Sequence, residues 1–115
     1  MFSDKIKKYR LANSKAEFVH SFHGKNELEK QFGFGEVLFL LDADELYAFK
    51  NKCPHQGAKL NGCMIAQGKV ICPLHQYGFD VEHGRGHGMY LDFYPLEESE
   101  EGFFLLRTYF SWLGE

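Results

Sequence analysis

Cys53-Pro54-His55-Gln56-Gly57-Ala58 and Cys72-Pro73-Leu74-His75 are the two segments on which the reading of this chain turns. Each is a short clip holding one cysteine and one histidine, with proline directly after the cysteine, and sixteen residues separate His55 from Cys72. Thiolate and neutral imidazole are ligands for zinc or an iron–sulfur cluster, whereas calcium and magnesium take oxygen. Proline fixes its own φ and restricts the residue before it, here the cysteine itself.

Three readings compete for these four side chains. They could be structural, with cysteine acting as a small buried hydrophobe. They could bind zinc, for which two Cys and two His are a common set. Zinc fingers, however, usually pair Cys with Cys and His with His, and each clip here mixes them. The third reading is a [2Fe–2S] cluster in which two histidines hold one iron and two cysteines the other. A mixed clip suits such a cluster, because each loop must reach both irons.

Outward from the clips, the pattern is one of short strands. Glu36 to Leu41 and Leu46 to Phe49 read as a hairpin across the polar turn Asp42–Glu45, delivering the chain to Cys53. Lys69 to Ile71, after a Gln67-Gly68 turn, leads into Cys72, and Gly78 to Val81 follows the second clip. His83 to Gly88 holds three glycines in six residues and reads as a loop. Tyr90 to Tyr94 alternates, Glu97 to Glu101 reads as an acidic turn, and Gly102 to Arg107 as a closing strand. On the other side, residues 1–8 are expected to fray and Tyr9 to Ala12 to form a first strand. Ser14 to Glu17 fits a capping box, but Phe18, His20 and Phe22 alternate; the strand reading of Glu17 to His23 is preferred. Asn26 to Gln31 reads as a helical turn or loop. The apolar tail Thr108 to Leu113 is expected to pack back over the sheet edge.

Composition agrees with an ordered β-rich chain of 115 residues, with twelve Phe and six Tyr. The net charge of −3, without a basic stripe, argues against nucleic acid as a partner. The longest apolar run, Val37 to Leu41, is far short of the ~18–20 residues of a membrane span. Three cysteines, an odd number, fit a reducing cytoplasm better than a disulfide framework.

With Phe79-Asp80 and a Gly84-Arg85-Gly86 turn following the clips, the chain resembles the Rieske-type ferredoxins, roughly from Tyr9 to Arg107. The resemblance implies an all-β Rieske fold, with antiparallel sheets forming a sandwich or barrel base. It implies one domain over residues 1–115, with a cluster-binding subdomain of about Asn51 to His83. One [2Fe–2S] cluster per chain is implied, with Cys53 and Cys72 on the inner iron and His55 and His75 on the outer. The implied role is a soluble, non-catalytic electron carrier. It would take single electrons from a flavin-dependent reductase and pass them to a terminal acceptor, an oxygenase component. A redox- or oxygen-sensing module and a zinc-stabilised interaction domain are the alternatives.

Departures from the high-potential respiratory members set an expectation for the potential. Those members carry an extra, disulfide-bonded cysteine in each clip, where this chain has Ala58 and Leu74. They place Ser and Tyr two and four residues after the second histidine, where Tyr77 and Phe79 stand here. Phe79 has no hydroxyl to donate to sulfur, so added negative charge is less stabilised. The low end of the class range, about −150 to +300 mV, is expected. A catalytic oxygenase subunit is not expected, because these 115 residues leave no room for a 2-His-1-carboxylate iron domain.

Several residues invite over-reading. Cys63 is expected to be a packed structural cysteine. His83 and His87 are expected to be polar loop residues beside the cluster, with a partner-facing role for His87 as second choice. His20 and His23 are expected to be surface or half-buried strand residues.

Overall fold

Alternating and β-branched segments of the chain pair almost entirely as antiparallel strands in the computed structural model. It describes residues 2–74 and 76–112, with residues 2–4 and 109–112 described by backbone alone. In chain order the elements are β1 (Phe2–Ala12), α1 (Lys15–His20), β2 (Glu27–Phe32), β3 (Gly35–Asp42), β4 (Glu45–Lys50), β5 (Met64–Ala66), β6 (Lys69–Ile71), β7 (Gly78–Asp80), β8 (Arg85–Gly86), β9 (Met89–Tyr90), β10 (Leu96–Ser99) and β11 (Gly102–Trp112). Two compact units share them: Met1–Gly24 with Tyr94–Glu115, and Lys25–Phe93. The all-β, antiparallel expectation is met.

In the first unit, β11 lies between β1 and β10. β1 starts at Phe2, not Tyr9, because its whole length pairs with β11 from Phe2↔Trp112 to Ala12↔Phe103. That pairing satisfies the backbone of residues expected to fray. The tail likewise continues β11 to Trp112 rather than folding over an edge; Leu113 lies outside the described residues. Glu97 to Ser99, expected as a turn, belongs to β10.

The strand expected over Glu17 to His23 is instead α1 with the turn that follows it, and the capping box decides it. Ser14 Oγ accepts the Glu17 N–H at 3.1 Å, and the Glu17 carboxylate accepts the Asn13 N–H at 3.1 Å. Phe18 and Phe22 are four apart, so they share a helical face as readily as a strand face. Their rings meet edge to face at 5.6 Å, and Phe18 also packs on Phe103 at 5.6 Å. His20 and His23 are exposed.

The second unit holds the clips. β2, β3 and β4 form one sheet, β5, β6 and β7 another, and β8 and β9 a two-strand ribbon. The expected hairpin forms with register Asp42↔Glu45, and Val37 to Leu40 are buried on both strand faces. Gln67 and Gly68 both take positive φ, 52° and 72°, in the tight turn joining β5 to β6. Leu38 and Leu40 from one sheet share a core with Val70 and Phe79 from the other, together with Phe49, Leu60 and Leu91. Asn26 to Gln31, expected as a turn or loop, contributes β2, because β3 offers its apolar length a second antiparallel partner. No helix among the described residues is long and apolar enough to cross a membrane.

Candidate metal centre

Both clips are closed by the same backbone hydrogen bond. The Cys53 N–H donates to the Ala58 carbonyl, and the Cys72 N–H to the Tyr77 carbonyl, each at 2.7 Å. The first clip is pinned again by the Gly57 N–H on the Cys53 carbonyl at 2.7 Å. The cysteines are thereby sunk into the core, each 1% exposed, and neither is in a disulfide. The Cys53 thiol neighbours that of Cys72 closely enough to affect its ionisation. Burial, and then the neighbouring Cys53 thiol, push the Cys72 thiol above its ordinary range, while the Leu74 N–H pulls the other way.

His55 is half-buried, and Pro73 and Leu74 are exposed, so the clip tips face outward while the sulfurs face in. His75 lies outside the described residues. Among the described residues, no three His, Cys, Asp or Glu side chains converge on one point that would hold a metal ion. A two-iron cluster asks for no such point, because its histidines and cysteines sit on different irons. Two buried thiols side by side, with an imidazole on the adjoining clip, are a donor set that fits such a group. A cation there would offset the cost of their ionisation in the core.

Carboxylates from the first sheet hold the segment that follows the first clip. Buried Asn51 accepts the Leu60 N–H through Oδ1 at 2.7 Å, and its Nδ2 donates to Asn61 at 2.8 Å and Glu36 at 3.1 Å. Glu29 accepts from Asn61 Nδ2 at 2.9 Å, and Glu27 accepts the Gly62 N–H at 2.7 Å. Lys59 bridges Glu36 at 3.2 Å and Glu29 at 3.3 Å. Its ammonium holds the Glu36 carboxyl below the usual 4.5, and the carboxylates hold Lys59 above 10.5. None of these supporting residues was legible in advance, apart from the polar character of Glu27 and Glu29 on a segment expected to be a helical turn or loop.

Three rings line up beside the clips. The His55 and Tyr77 ring centroids are 4.1 Å apart, and Tyr77 stacks on His87 at 4.3 Å with 23° between planes. The Gly78 N–H donates to His87 Nε2 across 3.4 Å, and buried Phe79 meets His87 edge-on at 6.4 Å. His87 is thus tied to the second clip, which a polar loop residue need not be. His83 is exposed, with its N–H on the Asp80 carboxylate. Cys63 is 4% exposed in the core, and burial, then the Glu27 charge, push its thiol up to about 12, as suits an inert packed cysteine.

An antiparallel β protein with a Cys/His clip on each side of a short hairpin is the class this geometry defines. The family model for the Rieske [2Fe-2S] domain matches residues 14–90, well over half of the chain. The chain belongs to the Rieske [2Fe-2S] domain family, whose cofactor is one [2Fe–2S] cluster. The ferredoxin component of the alkene monooxygenase system of Xanthobacter autotrophicus is 36% identical over 55 residues, 47% of this chain and 45% of that protein. Apoptosis-inducing factor 3 of Mus musculus is 39% identical over 56 residues, 49% of this chain but 9% of that protein. The chain therefore spans less than half the length of these relatives. The ferredoxin of carbazole 1,9a-dioxygenase from Nocardioides aromaticivorans superposes with a TM-score of 0.64 at 22% identity, covering 87% of this chain and 96% of that one. That likeness establishes a shared fold, the Rieske fold.

Proposed function

We propose that Cys53 and Cys72 hold one iron and His55 and His75 the other, and that the chain is an electron carrier without catalysis of its own. The observation that carries this reading is the meeting of two buried thiols from clips closed by the same backbone hydrogen bond. When bound, a [2Fe–2S] cluster supplies reversible one-electron transfer. The chain's residues then do three things. The core around Cys53 and Cys72 excludes water from the sulfurs, the backbone closures fix the two loops, and half-buried His55 stands between core and solvent.

The cluster-binding part is about Asn51 to His83 of one domain over residues 1–115. An oxygenase component as acceptor is supported by relatives named as ferredoxin components of oxygenase systems; a flavin-dependent reductase as donor completes the proposal. The purified protein tests this reading. A brown colour, a full [2Fe–2S] complement of iron and an EPR signal only after reduction are expected. Reduction by a flavin-dependent reductase and reoxidation by an oxygenase should follow. A colourless protein with one zinc per chain overturns the cluster, and a loaded protein that no oxygenase reoxidises overturns the carrier role.

A further inference from the structure

Tyr77 occupies a position that no other described side chain shares. Its carbonyl closes the second clip on the Cys72 N–H, while its ring lies on His55 of the first. Its counterpart in the first clip, Ala58, offers the same carbonyl to Cys53 but no ring. Tyr77 therefore joins the backbone of one clip to the ligand ring of the other.

The far face of Tyr77 is also covered, by a loop whose course is built to reach it. At Gly86 a Cβ would lie 2.0 Å from the Gly78 carbonyl oxygen, so the absence of a side chain lets β8 lie directly on β7, the strand after the second clip. The next residue, His87, is held at φ 55°, a left-handed conformation uncommon for a residue with a Cβ. That conformation brings its ring onto Tyr77, and its Nε2 takes the Gly78 N–H. Strained backbone, close approach and hydrogen bond serve one placement, with flat rings on both faces of Tyr77.

We propose that Tyr77 is a positioning residue that sets the plane of the His55 ring, and that His87 backs it from the opposite face. The inference rests on His55 being a cluster ligand. A ring packed 4.1 Å from the imidazole, at 35° to its plane, restricts rotation about the Cβ–Cγ bond, so the ring meets the cluster already aligned. Groups that orient a metal-bound histidine typically change metal affinity by roughly 10–100-fold when removed.

The test uses the loaded protein and its apo form, with Tyr77→Phe, Tyr77→Leu, His87→Ala and His55→Ala. Tyr77→Phe keeps the ring and should match wild type in EPR g-values and in the rate of iron loss to a chelator. Tyr77→Leu should still take up cluster, but lose iron roughly 10-fold faster or more and show an altered EPR signal. His87→Ala, at an exposed residue, should move both readouts in the same direction by less. In apo protein, the His55 ring protons should be displaced upfield in the NMR spectrum by Tyr77, and return toward ordinary shifts in Tyr77→Leu. Wild-type EPR and iron loss in Tyr77→Leu overturn the positioning role while leaving the ligand assignment standing. An unchanged EPR signal in loaded His55→Ala overturns the ligand assignment instead. Should Tyr77→Leu fail to fold, His87→Ala together with the wild-type apo spectrum decides: ordinary His55 shifts there overturn the proposal.

Discussion

Asn51 and Cys53 are two residues apart and both buried, yet only one of them announces itself. A cysteine beside a proline and a histidine carries its chemistry in its type and spacing. We expect Cys53→Ser to lose most of its cluster, and His55→Cys to keep part of it at a lower potential, because a thiolate adds negative charge where an imidazole adds none. Iron quantification and protein-film voltammetry read both; equal, full occupancy would contradict the ligand assignment. Asn51 serves through partners that lie far off in sequence, Glu36, Leu60 and Asn61, and nothing in its own neighbourhood names them. Replacing it with alanine strands the buried Leu60 N–H, at a cost of about 1–3 kcal/mol. A urea midpoint lowered to match, with some loss of iron retention, is the expected outcome. Cys63 shows the converse: its chemistry is conspicuous in the sequence and the fold silences it by burial.

At the scale of elements, local rules read the hairpin β3–β4 and the β5–β6 turn correctly, because a two-residue turn and apolar runs contain their own instructions. They failed over the first part of β1, before Tyr9, at β2 and at the apolar end of β11, segments that become strands only because a partner strand waits for them. They failed at α1 for a different reason, since Phe18 and Phe22 fit both periods and only the cap discriminates. The loop carrying His87 gives a clean test of close approach. Gly86→Ala should be strongly destabilising or fail to fold, since the clash is with backbone. Gly88→Ala, with nothing within 4 Å but φ of 75°, should cost only about 1 kcal/mol. A difference in thermal midpoint between the two variants reads it; equal midpoints would refute the packing described.

The Lys59 bridge adds a pH dependence. Glu36 titrates below its ordinary 4.5 in the folded protein, so its contribution is present above 4.5 and lost as pH falls through the folded value. Lys59 is raised above 10.5, so its share is present below 10.5 and lost as pH rises through the folded value. NMR titration of Glu36 should show the lowered value return toward 4.5 in Lys59→Ala, and high salt should weaken the effect in wild type.

For the molecule as a whole, the measurable quantity is the midpoint potential. Fully buried Phe79 carries no hydroxyl to donate to a sulfur, and neither Ala58 nor Leu74 can form a disulfide between the clips. A value below zero is expected, in a class spanning about −150 to +300 mV; one above about +100 mV would refute it. The pairing of β1 with β11 bears on how such a molecule comes into being. Phe2 meets Trp112 and Ala12 meets Phe103, so β1 emerges during translation long before its partner exists. All of Lys25–Phe93 is made in between, and its strands pair with sequence neighbours. Loop-closure entropy and high contact order delay the β1–β11 ladder, whereas β3–β4 can close at once. Pulse-labelled refolding should therefore protect the amides of β3 and β4 before those of β1. Throughout that interval β1 is an unpaired edge, open to a second nascent copy, so the yield of folded protein should fall as the concentration during refolding rises.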